Sequence, residues 1–251
     1  TGGSNNALGY SALGANTTGG SNTAVGNYAL AGNTTADNNT ALGKSALAAN
    51  TTGTQNTAVG AEALDACTTA SYNTAVGYQA LTASTTAIVS TAIGWCSLAS
   101  NTTGAKNTAV GANCMQNNTT GGSNVAMGRQ ALQSNTTASN NTAVGYTALM
   151  SNTTGANVTG LGYRSLINNT TGDQNTALGS DAMYTNTTGE YNLAVGYMAL
   201  YTNNASNNTA LGYQASLLNT TGTNNVAVGY YCLLYTSDAA DDSLRVDLGG
   251  R

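Results

Sequence analysis

A glycine returns at a fixed spacing of 17 along almost the whole chain, and this period limits the possible folds more than any other feature. Gly9, Gly26, Gly43, Gly60, Gly77, Gly94, Gly111, Gly128, Gly145, Gly162, Gly179 and Gly196 keep the spacing; Gly212 arrives one position early, and Gly229 restores the interval. Each closes a short block such as Asn141-Thr142-Ala143-Val144-Gly145. A second apolar piece follows, as in Tyr78-Gln79-Ala80-Leu81, and then a polar block such as Asn152-Thr153-Thr154-Gly155. A fixed period of this size predicts a solenoid, in which each unit closes its core only against its neighbours. The single deletion falls in Asn203-Asn204-Ala205-Ser206-Asn207, which marks that segment as a turn.

The residues inside the unit select strand over helix. Gly comes too often for helices, β-branched Thr is abundant, and no 3.6-residue apolar stripe persists. Thr108-Ala109-Val110 is β-prone, and alternation puts Ala on one face and Val on the other. The predicted fold is therefore all-β: a flattened parallel β-solenoid with one coil per period, and two short strands and two turns in each coil. Stacked at ~4.8 Å per coil, the array would be a rod about 65 Å long. Residues one period apart then stack into ladders: Asn16, Asn33 and Asn50 form one, and Thr17, Thr34 and Thr51 another. The last turn position alternates between Gly and Ala (Gly53, Ala70, Ala87, Gly104), so it has no strict need for positive φ. The repeat glycine has no exceptions, and either positive φ or close backbone approach accounts for it.

Composition supports a thin core. The chain has no Pro, His or Phe, only 6% charged residues, and an apolar content dominated by Ala with single Val and Leu residues. Such a coil buries little, and part of its apolar surface faces outward, which predicts lateral association as a homotrimer. Six Lys and Arg in 251 residues leave no basic footprint for nucleic acid. No run of 18 apolar residues spans a membrane within this segment.

The motifs Asn56-Thr57-Ala58-Val59-Gly60 with Ala63, Asn124-Val125-Ala126-Met127-Gly128 with Ala131, and Val226-Ala227-Val228-Gly229 resemble the head repeats of YadA-like trimeric autotransporter adhesins. The resemblance covers residues 1–231. Its unit here is a few residues longer, and the Asn-Thr-Thr-Gly turn is similar to repeats of phage tail fibres and of surface proteins that end in a self-cleaving chaperone domain. It implies a left-handed parallel β-roll, a homotrimer, and an extracellular location on a cell surface or virion tail. On this reading residues 1–231 are an internal fragment of a longer fibre. Residues 232–251 break the pattern and resemble a translated sequencing adapter, so they are set aside as a non-native tail. Without them, six acids face four bases, a charge of −2.

No constellation for chemistry emerges. Cys67, Cys96 and Cys114 occupy three different repeat positions, with no His and no paired-Cys motif, so neither metal nor cofactor is expected. Glu62 and Asp65 are the nearest pair of acids and have no third partner, and calcium-type Asp-Gly repeats are missing. An enzyme is not expected. Asn-Thr-Thr matches the glycosylation acceptor many times, but the turn itself demands those residues. The variable decoration is aromatic. Tyr78, Tyr146, Tyr163, Tyr197 and Tyr213 follow the repeat glycine, as do Tyr10, Tyr230 and Trp95. Such a row can contact a host-surface glycan or protein receptor, or pack at a subunit seam. The resulting expectation is a non-enzymatic adhesive segment of a trimeric fibre. The alternative is an ice-binding solenoid, opposed here by the adjacent paired Thr of the turn, which point to opposite sides.

Overall fold

The computed structural model describes residues 2–234. Its fourteen three-residue strands run from Asn6–Leu8 to Val226–Val228 and form one parallel sheet in chain order. The molecule is an all-β parallel solenoid of about 13 turns with about 17 residues per coil. Strand Thr57–Val59 pairs with Thr74–Val76 as Thr57↔Thr74, Ala58↔Ala75 and Val59↔Val76. At the deletion the register is kept: Leu193 pairs with Thr209, one position short of the usual interval, and the turn Asn204–Ser206 takes up the missing residue.

One expectation fails. The second apolar piece is not a strand. Residues Tyr78–Leu81 form a string of turns, with Gln79 at φ 53° and Leu81 at φ 52°. The reason lies in what must be buried. Ala80 and Leu81 are adjacent, and both are fully buried. A strand would send them to opposite faces. Alternating left-handed residues curl the chain so that both point inward. The backbone groups remain satisfied: the Gln79 N–H donates to the Ala61 carbonyl of the preceding coil at 3.1 Å, and the Leu81 N–H to the Ser97 carbonyl of the next at 3.0 Å. Between them the Ala80 N–H closes a local turn on the Gly77 carbonyl at 3.3 Å. A third left-handed residue, Gln55 or its equivalents, sits two positions past the Gly/Ala turn residue. Each such residue costs about 1–2 kcal/mol, a strain that the intercoil bonds and the packed interior offset.

The interior is one side chain thick. A Leu column (Leu30, Leu47, Leu64, Leu81, Leu98, then Met115 and Leu132) runs beside two columns of small residues, typified by Ala58 and Ala63. Two asparagine ladders border this apolar strip. The expected one is present: Asn33 Nδ2 donates to Asn16 Oδ1 at 2.9 Å, and Asn50 Nδ2 to Asn33 Oδ1 at 3.0 Å. The Thr ladder runs side chain to backbone, with Thr17 Oγ1 on the Thr34 carbonyl at 2.9 Å and Thr34 Oγ1 on Thr51 at 3.1 Å. A second Asn ladder precedes the strands. Asn39 N–H donates to Asn22 Oδ1 at 2.9 Å, while Asn39 Nδ2 reaches the Gly53 carbonyl at 2.8 Å. That carbonyl also accepts from Asn50 Nδ2 at 2.9 Å, so one turn carbonyl ties both ladders together. Buried amides are tolerated here because nearly all are paired.

Candidate interaction faces

The repeat glycines answer a question that the sequence leaves open. Gly60, Gly77, Gly94, Gly111, Gly128, Gly145, Gly162, Gly179 and Gly196 have φ between +131° and +142°. A Cβ on Gly60 would lie 2.5 Å from the Gly77 carbonyl oxygen and 2.7 Å from its carbon. Positive φ and close approach therefore act together at this corner, and only glycine meets both. By contrast, neither Gly53 nor Ala70 in the polar turn has positive φ. These glycines are structural corners and leave the two outer faces beside them to carry any contact.

The first face is the outside of the sheet. In strand Thr57–Val59 only Ala58 points inward; Thr57 and Val59 stay half-exposed. Repetition turns this into two parallel rows, one on each side of the buried Ala. One row is Thr57, Thr74, Thr91 and Thr108, and the other is Val59, Val76, Ile93 and Val110. The aliphatic row continues to both ends with Leu42, Met127 and Leu161, each between 45% and 47% exposed. The Thr row is broken by Val125, Leu193 and Val226.

The second face is the edge just after the glycine corner. All five tyrosines named from the sequence, Tyr78, Tyr146, Tyr163, Tyr197 and Tyr213, are exposed there. The coil repeat brings some of them into contact. Tyr146 stacks on Tyr163 with centroids 5.7 Å apart, and Tyr197 on Tyr213 at 5.2 Å. Tyr213 stacks in turn on Tyr230 at 5.2 Å. Ser180 stands in the aromatic position between Tyr163 and Tyr197, and Arg164 leans into that coil. Its Nε donates to Asp181 Oδ1 at 2.7 Å, and its guanidinium lies 4.7 Å from the Tyr163 centroid and 5.1 Å from that of Tyr184. The hydrogen bond to Asp181 raises the Arg164 pKa further. Tyr184 and Tyr201 form a second stack beside it, at 5.1 Å. The Arg164–Asp181 pair was readable from the sequence, because the two residues are one period apart.

Three further carboxylates serve neighbouring coils. Glu62 accepts from Gln79 Nε2 at 2.9 Å, and Asp65 from Thr82 Oγ1 at 2.7 Å, so this pair faces different partners. Asp173 accepts the Ala156 N–H at 2.7 Å. The cysteines are free; burial pushes the Cys67 thiol up to about 11 and that of Cys114 up to about 12. Among the described residues no group of three metal-ligating side chains comes together, and no helix is long and apolar enough to cross a membrane. From Asn33 onward the Asn of each Asn-Thr-Thr acceptor is buried. Asn50 Nδ2 spends its hydrogens on Asn33 Oδ1 and the Gly53 carbonyl, so the folded coil withholds it from glycosylation.

Residues 232–251 divide. Cys232 and Leu233 occupy the places of Ala and Leu in the Gly229 coil and pack against the core; residues 235–251, most of the adapter-like tail, lie outside the described residues. No protein-family model matches the chain, and no curated protein matches it.

Proposed function

We propose that residues 1–231 are a non-enzymatic segment of an extracellular trimeric fibre, a bacterial adhesin head or phage tail fibre built as a left-handed β-roll. Three copies meet along the outer strand face, and the tyrosine edge is left free for a host-surface glycan or protein receptor. The observation that carries this reading is the uninterrupted aliphatic row from Leu42 through Val59, Val76, Ile93 and Val110 to Met127. Each half-exposed side chain leaves on the order of 50 Å² of apolar surface, so covering it contributes about 1 kcal/mol. Ten coils in register would contribute about 10 kcal/mol, comparable with the roughly 4–15 kcal/mol that association costs. Adhesion would then arise from weak contacts multiplied over three chains.

Sedimentation at low concentration tests the assembly, with a mass of three chains as the expected result. A stably folded monomer at the same dilution would refute it. Val110→Lys with Val144→Lys should dissociate the assembly, because both charges would be buried in the seam.

The paired strand rows favour a second reading, binding to ice. The rows are spaced ~4.8 Å along the rod and about 7 Å across it, a flat hydroxyl and methyl lattice. This Thr row lies on the strand, distinct from the paired Thr of the turn. The breaks at Val125, Leu193 and Val226, and the mixture of Val, Leu, Ile and Met beside them, make the lattice irregular and support the fibre over ice. Both readings use the same face. Thermal hysteresis from the free face would support ice binding, and none would remove it.

A further inference from the structure

We propose that the edge spanning coils Gly128 to Gly179 is a recognition site for an acidic glycan. This proposal rests on the adhesive reading and gives its receptor a chemistry. Four side chains form one continuous stack there. Arg129 lies 5.7 Å from the Tyr146 ring centroid and donates from Nη1 to the Tyr146 hydroxyl at 3.1 Å. Tyr146 stacks on Tyr163 with an interplanar angle of 13°, and Arg164 covers the other side of Tyr163 at 4.7 Å. Two cations thus cap a pair of tyrosines along two coil spacings.

Two features aim this stack at an anion. Residues 1–231 hold only four bases, and both arginines are in this stack. The local carboxylate, Asp181, is 6% exposed; it accepts from the Ser180 hydroxyl and, of the guanidinium, takes only Arg164 Nε. This contact locks the guanidinium and leaves its Nη1 and Nη2 without a partner among the described residues. A guanidinium held by its Nε side and flanked by Tyr163 and Tyr184 presents a planar fork to solvent, the geometry that binds a carboxylate or sulfate through two hydrogen bonds. Arg129 offers a second fork about two coils away, ~10 Å along the rod. The two forks, ~10 Å apart with the stacked tyrosines between them, suit an extended ligand that carries spaced anions. An oligosaccharide bearing spaced acids fits these demands. Tyr and Arg also serve protein interfaces, so poly-glutamate stands in for an acidic protein partner in the test.

The test measures binding of the full chain to oligogalacturonate, to sulfated heparin oligosaccharide, to neutral dextran and to poly-glutamate. Binding of at least one acidic glycan well above dextran and poly-glutamate, weakening as salt rises, is the expected result. Arg129→Ala should lower that affinity about tenfold, the loss of a charge-assisted contact. Among the described residues Arg129 pairs with no acid, so this variant should leave the fold intact, as a circular-dichroism melt would verify. Arg164→Ala should lower the affinity at least as much. The site is overturned if dextran or poly-glutamate binds as tightly, if no acidic glycan binds, or if Arg129→Ala changes nothing. A trimer that fails to bind acidic glycan sinks this site and leaves the fibre standing. A monomer that binds it does the reverse.

Discussion

The buried asparagine ladder is interrupted at two adjacent coils, and repairing it should stabilise the protein. Where the other coils place Asn, positions 67 and 84 carry Cys and Ser. Cys67 Sγ makes only long contacts, 3.6 Å to the Ala70 carbonyl and 4.0 Å to Asn50 Oδ1. Ser84 Oγ is buried with no partner, and Asn101 Nδ2 has only the Gly104 carbonyl at 2.9 Å. The double substitution Cys67→Asn with Ser84→Asn would restore five amide hydrogen bonds: two from each new side chain and one from Asn101. At about 1 kcal/mol net per bond the gain is ~5 kcal/mol, reduced to roughly 2–3 kcal/mol by fixing two rotamers and losing the thiol contacts. For a chain of this size that raises Tm by about 5–10 °C. Thermal denaturation with hydrogen exchange in the Gly60 and Gly77 coils would measure it. The two changes should also be non-additive, because the bond between the new amides exists only when both are present. A double variant no more stable than the parent, or two strictly additive singles, would refute the ladder as a source of stability.

Other perturbations address the corner, the core and the thiols. Gly145→Ala should destabilise by about 2–4 kcal/mol in urea unfolding, since its Cβ would meet the Gly162 backbone at a φ of +138°. Leu132→Ala should cost about 2–5 kcal/mol in the same assay, whereas Thr137→Ala, on the exposed turn, should stay within ~0.5 kcal/mol. The thiols of Cys67 and Cys114, pushed up to about 11 and about 12, hold their protons in the folded state while the unfolded chain releases them near 9. Their contribution is complete below pH 9 and is lost as pH rises towards 11–12, so Cys67→Ala with Cys114→Ala should flatten the alkaline fall in Tm. At neutral pH a thiol reagent should leave both unmodified until the chain unfolds.

The period made most of this architecture legible. It fixed the coil length, the stacking of Asn16 on Asn33, and the inward Ala and outward Val of each strand, because all of these follow from translation by one unit. The path of Tyr78–Leu81 was not legible. Its left-handed residues are Gln and Leu, which carry no local signal for positive φ; only the need to bury Ala80 and Leu81 together dictates it. The second ladder, Asn22 to Asn39, was visible as a one-period spacing but lay hidden beside the strand, where alternation gives a competing account of each residue. The alignment of the tyrosines along one edge follows from the same translation. The Arg164–Asp181 pair is legible only across one period: along the chain the two residues are 17 apart, and each has only uncharged residues beside it.

The coil that lacks a residue has a wider meaning. Leu193 still pairs with Thr209, and the shortening ends within its own turn. A coil therefore behaves as a rung whose turn can lose a residue while the rungs above and below keep their pairing. Height along the rod is counted in whole rungs, and the place within a rung names the side. Moving Tyr or Arg to the same place in another rung carries that group up or down the rod by ~4.8 Å per rung and changes nothing else. The surface is in effect a ruled grid, on which spacing between two contact groups can be set by sequence alone.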